Sequence, residues 1–223
     1  MKIALIGYGK MGHAVEACAQ QAGHEVTCRL DLGDAWPDKL DADVAIEFTT
    51  PKTAVDNLVR CLERGVPVVC GTTGWYDRYD EVCDRCRTAA GRMLTATNFS
   101  IGMNIVFAIN EHLARLMRGR PYSVAISETH HIHKLDAPSG TAISLQQQIV
   151  ENGGRKAGDI PIASYREGEV PGTHVVVYDS PVDTISLTHE AHSRQGLAQG
   201  AVVAAEWLVK AEPGVYTMKD LLG

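Results

Sequence analysis

A glycine-rich turn near the start of the chain constrains the fold more than any other feature. Lys2-Ile3-Ala4-Leu5-Ile6 is a short apolar run, and Gly7-Tyr8-Gly9-Lys10-Met11-Gly12 follows at once. Apolar side chains then recur at helical spacing through Met11, Val15, Cys18, Ala19 and Ala22, until Gly23 breaks the pattern. In such a strand–turn–helix, Gly7 permits the tight turn, Gly9 lets a pyrophosphate approach the backbone, and Gly12 lets the helix sit close to the strand. Unpaired N–H groups at the helix start favour an anion. Asp31 ends the second apolar run, nineteen residues beyond Gly12, where a carboxylate reading the ribose of a dinucleotide is expected. Its charge disfavours a 2′-phosphate and so points to NADH over NADPH, with Arg29 two residues earlier softening that preference. The plainer alternative is a glycine turn that only closes an α/β unit.

Further apolar runs at 26–30, 44–48, 66–70 and 93–97 alternate with helical patterns at 52–64 and 76–90. Strands that are apolar on both faces and separated by helices predict a Rossmann-type, doubly wound parallel sheet. After Gly102 the rhythm changes. A helix at 103–118, a strand at 122–129 and a helix at 141–151 lead into several strands at 162–190 with no helix between them. The runs 173–178 and 182–189 flank Asp179-Ser180-Pro181 and read as an antiparallel pair. This predicts a smaller α+β domain with an open, mostly antiparallel sheet. A last helix at 196–210, rich in alanine, is suited to pack on the first sheet. The expected division is a discontinuous dinucleotide-binding domain (1–101 and 195–223) and a second domain (102–194).

Composition narrows the function classes. The 223 residues are 45% hydrophobic and 22% charged, ordinary values for a folded chain. A net charge of −6 gives no general attraction to nucleic acid or anionic membrane. Seven Tyr, three Trp and three Phe are too few for a platform of stacked bases. No apolar run approaches the roughly 20 residues of a membrane span, and residues 1–18 lack the unbroken apolar centre of a secretion signal. The six cysteines (18, 28, 61, 70, 83, 86) are irregularly spaced, which suggests reduced thiols and a cytoplasmic protein. Cys83 and Cys86 have redox-motif spacing but fall in mid-helix, so a structural role is expected.

The most unusual segment is Glu128-Thr-His130-His131-Ile-His133-Lys134-Leu-Asp136-Ala-Pro138-Ser139-Gly140-Thr141-Ala142. In an extended chain His130, Ile132 and Lys134 share one face, so an imidazole and an ammonium stand together as proton donors near neutral pH. Ser139 or Thr141 is placed to cap the following helix, whose N–H groups suit a carboxylate. Clustered histidines also bind zinc, and the segment also suits a solvated loop. Adjacent histidines in a strand point oppositely, however, and no H-E-x-x-H or cysteine partner is near. No metal is expected.

The run H-H-x-H-K-x-D-A-P-S-G-T-A at 130–142 resembles the signature of the 4-hydroxy-tetrahydrodipicolinate reductase (dihydrodipicolinate reductase) family. The resemblance spans essentially the whole chain: Gly7–Gly12, Glu47-Phe48-Thr49-Thr50, Gly71-Thr72-Thr73-Gly74 and Asn98-Phe99-Ser100 occur in the family's order. It implies a two-domain, homotetrameric, NADH- or NADPH-dependent oxidoreductase of diaminopimelate and lysine biosynthesis, acting on a small dicarboxylate, with 102–194 as its substrate-binding and tetramerisation domain. Its reaction converts 4-hydroxy-tetrahydrodipicolinate, with loss of water, to tetrahydrodipicolinate. By the same resemblance, His130 and Lys134 are the catalytic proton donors, and His131, Gly140 and Thr141 hold the substrate carboxylate. Gly7, Tyr8, Gly9, Lys10, Met11, Gly12, Asp31, Phe48, Gly71, Thr72, Thr73, Thr97, Asn98 and Phe99 are the implied cofactor-binding residues. Lys10 and Glu47 stand where the family commonly has Arg and Asp, and the short connection between Asp31 and Asp43 leaves the adenosine end less elaborated. Arg166-Glu167 and His192-Ser193-Arg194 also fit the family. Arg194 is a candidate for hinge closure, a substrate contact or a surface ion pair.

Overall fold

Short apolar strands joined by amphipathic helices bury both faces of a sheet, and the first half of the chain follows that logic. The computed structural model describes residues 1–193 and 195–223; Arg194 lies outside the described residues. In the first half, β1 (Lys2–Ile6), α1 (Lys10–Gln21), β2 (Glu25–Leu30) and β3 (Val44–Glu47) are followed by α2 (Pro51–Glu63), β4 (Val68–Cys70), α3 (Tyr79–Thr88) and β5 (Arg92–Thr95). The chain continues through α4 (Ile101–Met117), β6 (Ser123–His130), α5 (Gly140–Gly153), β7 (Ile162–Arg166), β8 (Gly172–Asp179) and β9 (Thr184–Ala191). It ends with α6 (Gln195–Leu208), β10 (Gly214–Tyr216) and α7 (Met218–Leu222). Two compact units result, one of Met1–Ser100 with Gln195–Gly223 and one of Ile101–Arg194.

In the first unit six strands pair in parallel in the order β10-β5-β4-β3-β1-β2. The chain runs outward from β1 to β2, then returns to the other side of β1 to lay down β3, β4 and β5. The loops after β1 and β3 therefore diverge at a switch point, where open α/β sheets bind ligands. Helix α2 buries Ala54, Val55, Leu58, Cys61 and Leu62, while Thr53, Asn57 and Arg60 lie at i, i+4 and i+7 on another face. Pro51 opens α2 at a position where a missing N–H costs nothing. The alanines of α6 bring that helix close against β3, β4, β5 and α1. The expected last helix is present, while β10 and α7 appear where no element is expected from sequence. The strand expected at 93–97 ends at Thr95, which leaves 97–99 in a loop.

The second unit has the sheet order β7-β6-β8-β9, with β6–β7 parallel and the other two pairings antiparallel. Strand β6 alternates strictly: Val124, Ile126, Glu128 and His130 are buried, and the residues between them are not. Strand β8 answers with Gly172, His174, Val176 and Tyr178. The apolar members of both rows pack with Met103, Ala114, Leu145 and Ile149 of α4 and α5. The buried row thus turns from apolar to ionisable toward one end of the sheet.

Among the described residues, all six cysteines are free, and five are buried. Burial pushes the thiols of Cys83 and Cys86 up, which disfavours the reactive thiolate that a redox motif needs.

Candidate functional site

The turn after β1 shows what each glycine does. Gly7 has φ +93°, and a Cβ there would lie 2.0 Å from the carbonyl oxygen of Phe48. A Cβ on Gly12 would lie 2.4 Å from the carbonyl oxygen of Gly7, so α1 rests directly on the turn. Gly9 differs: a Cβ there meets nothing within 4 Å. Gly9 also caps α1 without a side-chain hydrogen bond to the first-turn N–H groups. A helix start left uncapped beside open space fits a pyrophosphate.

That space belongs to a cavity of about 470 Å³ bounded by Gly7, Gly9, Asp31, Trp36, Phe48 and Arg60, among others. The size suits a cofactor fragment. Asp31 is exposed in it, and one carboxylate oxygen accepts the N–H of Leu32 at 2.9 Å. Arg29 does not counter Asp31. Its guanidinium is engaged by the Glu16 carboxylate, which also takes the Tyr8 hydroxyl. Arg60 instead supplies the cavity with a cation, set 5.4 Å from the Trp36 ring centre, with Arg64 at the same distance from that ring. Sequence reasoning missed Trp36 and Arg60. The polar Thr53-Asn57-Arg60 stripe on α2 was the available signal.

Of the other expected cofactor residues, Lys10 is exposed at the first turn of α1, and Met11 is partly buried. The Phe48 ring lies against Gly71, where a Cβ would fall 2.0 Å from its Cε1 atom, and edge-on to Phe99 at 5.9 Å. Thr72 is buried and its hydroxyl accepts the N–H of Thr49 at 2.7 Å, tying together the loops after β3 and β4. Thr73 is exposed beside it. The Asn98 side-chain oxygen accepts the N–H of Ser100 at 2.9 Å. Thr97 borders a separate cavity of about 390 Å³ with Tyr76 and Tyr79. The structure therefore gathers Gly7, Gly9, Asp31 and Phe48 around one cavity, packs Gly71 and Phe99 against Phe48, and leaves Thr97 apart.

In the second unit the His–Lys segment departs from the extended form. Strand β6 stops at His130, and the N–H of Lys134 folds back to the carbonyl of His131 at 3.1 Å. The alternation that would put His130, Ile132 and Lys134 on one face therefore does not continue past the strand. His130 is buried, His131 half-buried, and Ile132 and His133 exposed. Lys134 donates to Asp136 at 2.9 Å and holds that carboxyl below its usual range. Ser139, not Thr141, caps α5, accepting the N–H of Ala142 at 3.2 Å. Gly140 and Thr141 form the first turn of that helix.

Behind His130 lies a buried polar cluster. Glu128, two residues earlier on β6, faces Nδ1 of His130 through one carboxylate oxygen. The Arg166 guanidinium grips both oxygens, at 3.0 and 3.1 Å. Burial alone would raise the Glu128 carboxyl; Arg166, with Ser164 and His130, holds it down at about 2. Burial lowers His130 and outweighs the opposing pull of Glu128. Burial also lowers His174, to about 4, with a further push from His130. The His174 ring stands edge-on to His130 at 5.1 Å, and its Nε2 shares a hydrogen bond with Ser139 at 3.1 Å. Among the described residues no group of three or more His, Cys, Asp or Glu is arranged to hold a metal.

A family model described as "Dihydrodipicolinate reductase, N-terminus" matches residues 1–99, and "Dihydrodipicolinate reductase, C-terminus" matches 102–222. The 4-hydroxy-tetrahydrodipicolinate reductase of Christiangramia forsetii is 45% identical over 234 residues, covering 100% of this chain and 98% of that one. The protein of the same name from Archaeoglobus fulgidus is 35% identical over 263 residues, covering 100% of both. Among solved structures, a dipicolinate-bound dihydrodipicolinate reductase from Paenisporosarcina sp. TG-14 superposes with a TM-score of 0.81 at 22% identity, covering 97% of each chain. A probable dehydrogenase from Thermotoga maritima reaches 0.67 at 10% identity, covering 99% of this chain and 92% of that one.

Proposed function

We infer the chemistry from one premise, that the chain belongs to the dihydrodipicolinate reductase family. It is a nicotinamide-dependent oxidoreductase that reduces 4-hydroxy-tetrahydrodipicolinate, with loss of water, to tetrahydrodipicolinate. The observation that carries this reading is 45% identity across the full chain to a reductase of that name. The decisive assay supplies the upstream aldol product and follows loss of NADH or NADPH absorbance. Consumption of neither would overturn the assignment.

The bound nicotinamide cofactor supplies the hydride; the protein supplies position and protons. We propose that the Met1–Ser100 and Gln195–Gly223 unit holds it. The first-turn N–H groups of α1 at Lys10, Met11 and Gly12 face the pyrophosphate across the open position at Gly9. Asp31 accepts from the ribose hydroxyls, and Tyr8 backs the turn through its bond to Glu16. Phe48, Gly71–Thr73 and Thr97–Phe99 hold the nicotinamide end. Asp31 favours NADH. Arg60 on the Trp36 side of the cavity gives a 2′-phosphate one cation to meet, so NADPH is used less efficiently rather than refused.

The Ile101–Arg194 unit holds the substrate. His131, Gly140 and Thr141 receive a carboxylate, the last two from the start of α5, where the helix dipole assists. His130 and Lys134 deliver protons to the electron density that builds on the substrate's conjugated imine during reduction. The neighbour from Paenisporosarcina carries dipicolinate, a planar dicarboxylate of the kind this reading requires. The homotetramer and the cytoplasmic location belong to the same proposal. Edge strand β9, which among the described residues pairs with β8 alone and has Ile185 and Leu187 partly exposed, suits subunit contact, and six free thiols suit a reducing compartment.

A further inference from the structure

We propose that Arg166 and Glu128 are positioning residues that set both proton-delivering groups at once. They fix His130 with its proton on Nδ1 and its Nε2 bare beside Gly172, and they pin the turn that carries Lys134. The proposal rests on the roles given above to His130 and Lys134.

The geometry begins with sheet register. His130 and Arg166 are paired neighbours on the parallel strands β6 and β7, and Glu128 pairs with His174 on the antiparallel side. The period of two on β6 puts Glu128 on the same buried face as His130. A carboxylate in the sheet's buried row is costly unless every oxygen is satisfied. Here one oxygen takes Nη2 of Arg166 at 3.0 Å and the N–H of Ser139 at 3.3 Å. The other takes Nη1 of Arg166 at 3.1 Å and faces Nδ1 of His130. An ionised carboxylate only accepts, so the ring atom facing it must carry a proton. In the neutral imidazole, Nε2 is then the bare nitrogen. Gly172 of β8 leaves room beside it, since a Cβ there would lie 3.0 Å from Nε2.

Arg166 does more than satisfy Glu128. Its Nε donates to the carbonyl of Lys134 at 3.3 Å, and Nη2 donates to the carbonyl of Asp136 at 2.6 Å. One planar guanidinium therefore ties the orienter of His130 to the backbone of the turn that presents Lys134. A lysine, with a single rotating ammonium, does not reproduce that fork. An ion pair serving only stability has no need to reach both carbonyls.

The charges around His130 predict opposite signs for two substitutions. Glu128 on its own strand raises the imidazole; Lys134 from the turn and Arg166 from β7 lower it. His174 on β8 is uncharged near neutrality, and His189 beyond it on β9 is also lowered by burial. Removing the Glu128 charge moves the alkaline limb of kcat to lower pH if protonated His130 is the donor. Removing the Arg166 charge moves it to higher pH.

The test is nitrogen NMR of the histidine rings in the full-length chain, with His130→Ala used for assignment, alongside pH profiles of kcat. The unmodified protein should show neutral His130 protonated on Nδ1. Glu128→Gln should lose that preference, shift the alkaline limb down and reduce kcat about tenfold or more, while NADH affinity stays within about twofold. Arg166→Gln should shift the limb up and lower kcat; Arg166→Lys should restore the limb but not kcat. Protonation on Nε2 in the unmodified protein overturns the proposal without recourse to any variant. So does an unmoved limb in folded Glu128→Gln. Full activity in His130→Ala would instead overturn the proton-donor role assigned above, leaving the tautomer result to stand on its own.

Discussion

Gly9 and Gly12 sit three residues apart in one turn, and they should fail in different ways when replaced by alanine. At Gly12 the new Cβ would lie 2.4 Å from the backbone oxygen of Gly7 and 3.3 Å from Tyr8 Cδ2. Backbone cannot swing aside as a side chain can, so α1 must move off β1 by about 1 Å to restore contact distance, and overpacking of this kind costs roughly 1–3 kcal/mol. For a chain of this size that corresponds to a fall in Tm of roughly 2–12 °C. At Gly9 the Cβ meets no protein atom within 4 Å, and φ is −82°. Alanine is a poorer helix cap than glycine by about half a kcal/mol, and the stiffer unfolded chain returns a similar amount. Gly9→Ala should therefore leave Tm within about 2 °C, yet its methyl occupies the space assigned to the pyrophosphate. Affinity for NADH should fall at least about tenfold, ~1.4 kcal/mol. Differential scanning calorimetry and titration calorimetry with NADH separate the two. Unchanged NADH affinity in Gly9→Ala would refute the placement of the pyrophosphate, and a Tm loss equal to that of Gly12→Ala would refute the steric reasoning.

Further outcomes follow from the two units. Asp31→Ala should raise the NADPH to NADH ratio of kcat/KM about tenfold, and Arg60→Ala should lower it; an unchanged ratio in both means that neither reads the ribose. Lys134→Ala and His130→Ala should each reduce kcat by about 10²–10⁴ with NADH affinity intact by titration calorimetry. Ser139→Ala should cost about 1 kcal/mol of stability through loss of the α5 cap, read as a lower unfolding midpoint in denaturant. Acid should loosen the second unit in two stages. His174 is depressed from 6.5 to about 4 and Glu128 from 4.5 to about 2. In each case the unfolded chain binds the proton more readily, so stability rises with pH. The His174 contribution is complete above its unfolded value and is lost as pH falls toward 4, and the Glu128 contribution is lost below that. His174→Gln should flatten the first stage in a pH series of unfolding midpoints while sparing the second.

Local pattern and tertiary pairing divided the work unevenly. The strand–glycine–helix start, the alternating strands and helices, and the change of rhythm near Gly102 all rest on contacts between residues close in sequence. All were legible. The serine cap of α5 was one of two readings, and the geometry chose Ser139. The three-residue strand β10 was invisible because its pairing with β5 joins residues more than a hundred positions apart. Arg29 looked like a modifier of Asp31 because the two are neighbours in sequence; Glu16, on the helix before it, had already taken the guanidinium. The face shared by His130 and Lys134 assumed that the strand ran on, and a turn at 131–134 ended it.

By itself the sequence determined the family and the types and order of the elements as far as α6, since periodicity, turn glycines and a contiguous signature are properties of short stretches of chain. Only the tertiary structure decided which charges meet. Strand order and register brought Arg166 alongside His130 and closed it on Glu128, 38 residues away, and the switch between β1 and β3 opened a cavity lined by Asp31 and Arg60, while Arg29 is held by Glu16. Such partners are chosen by hydrogen bonding across a sheet and by the packing beneath it. Both depend on the whole chain having folded.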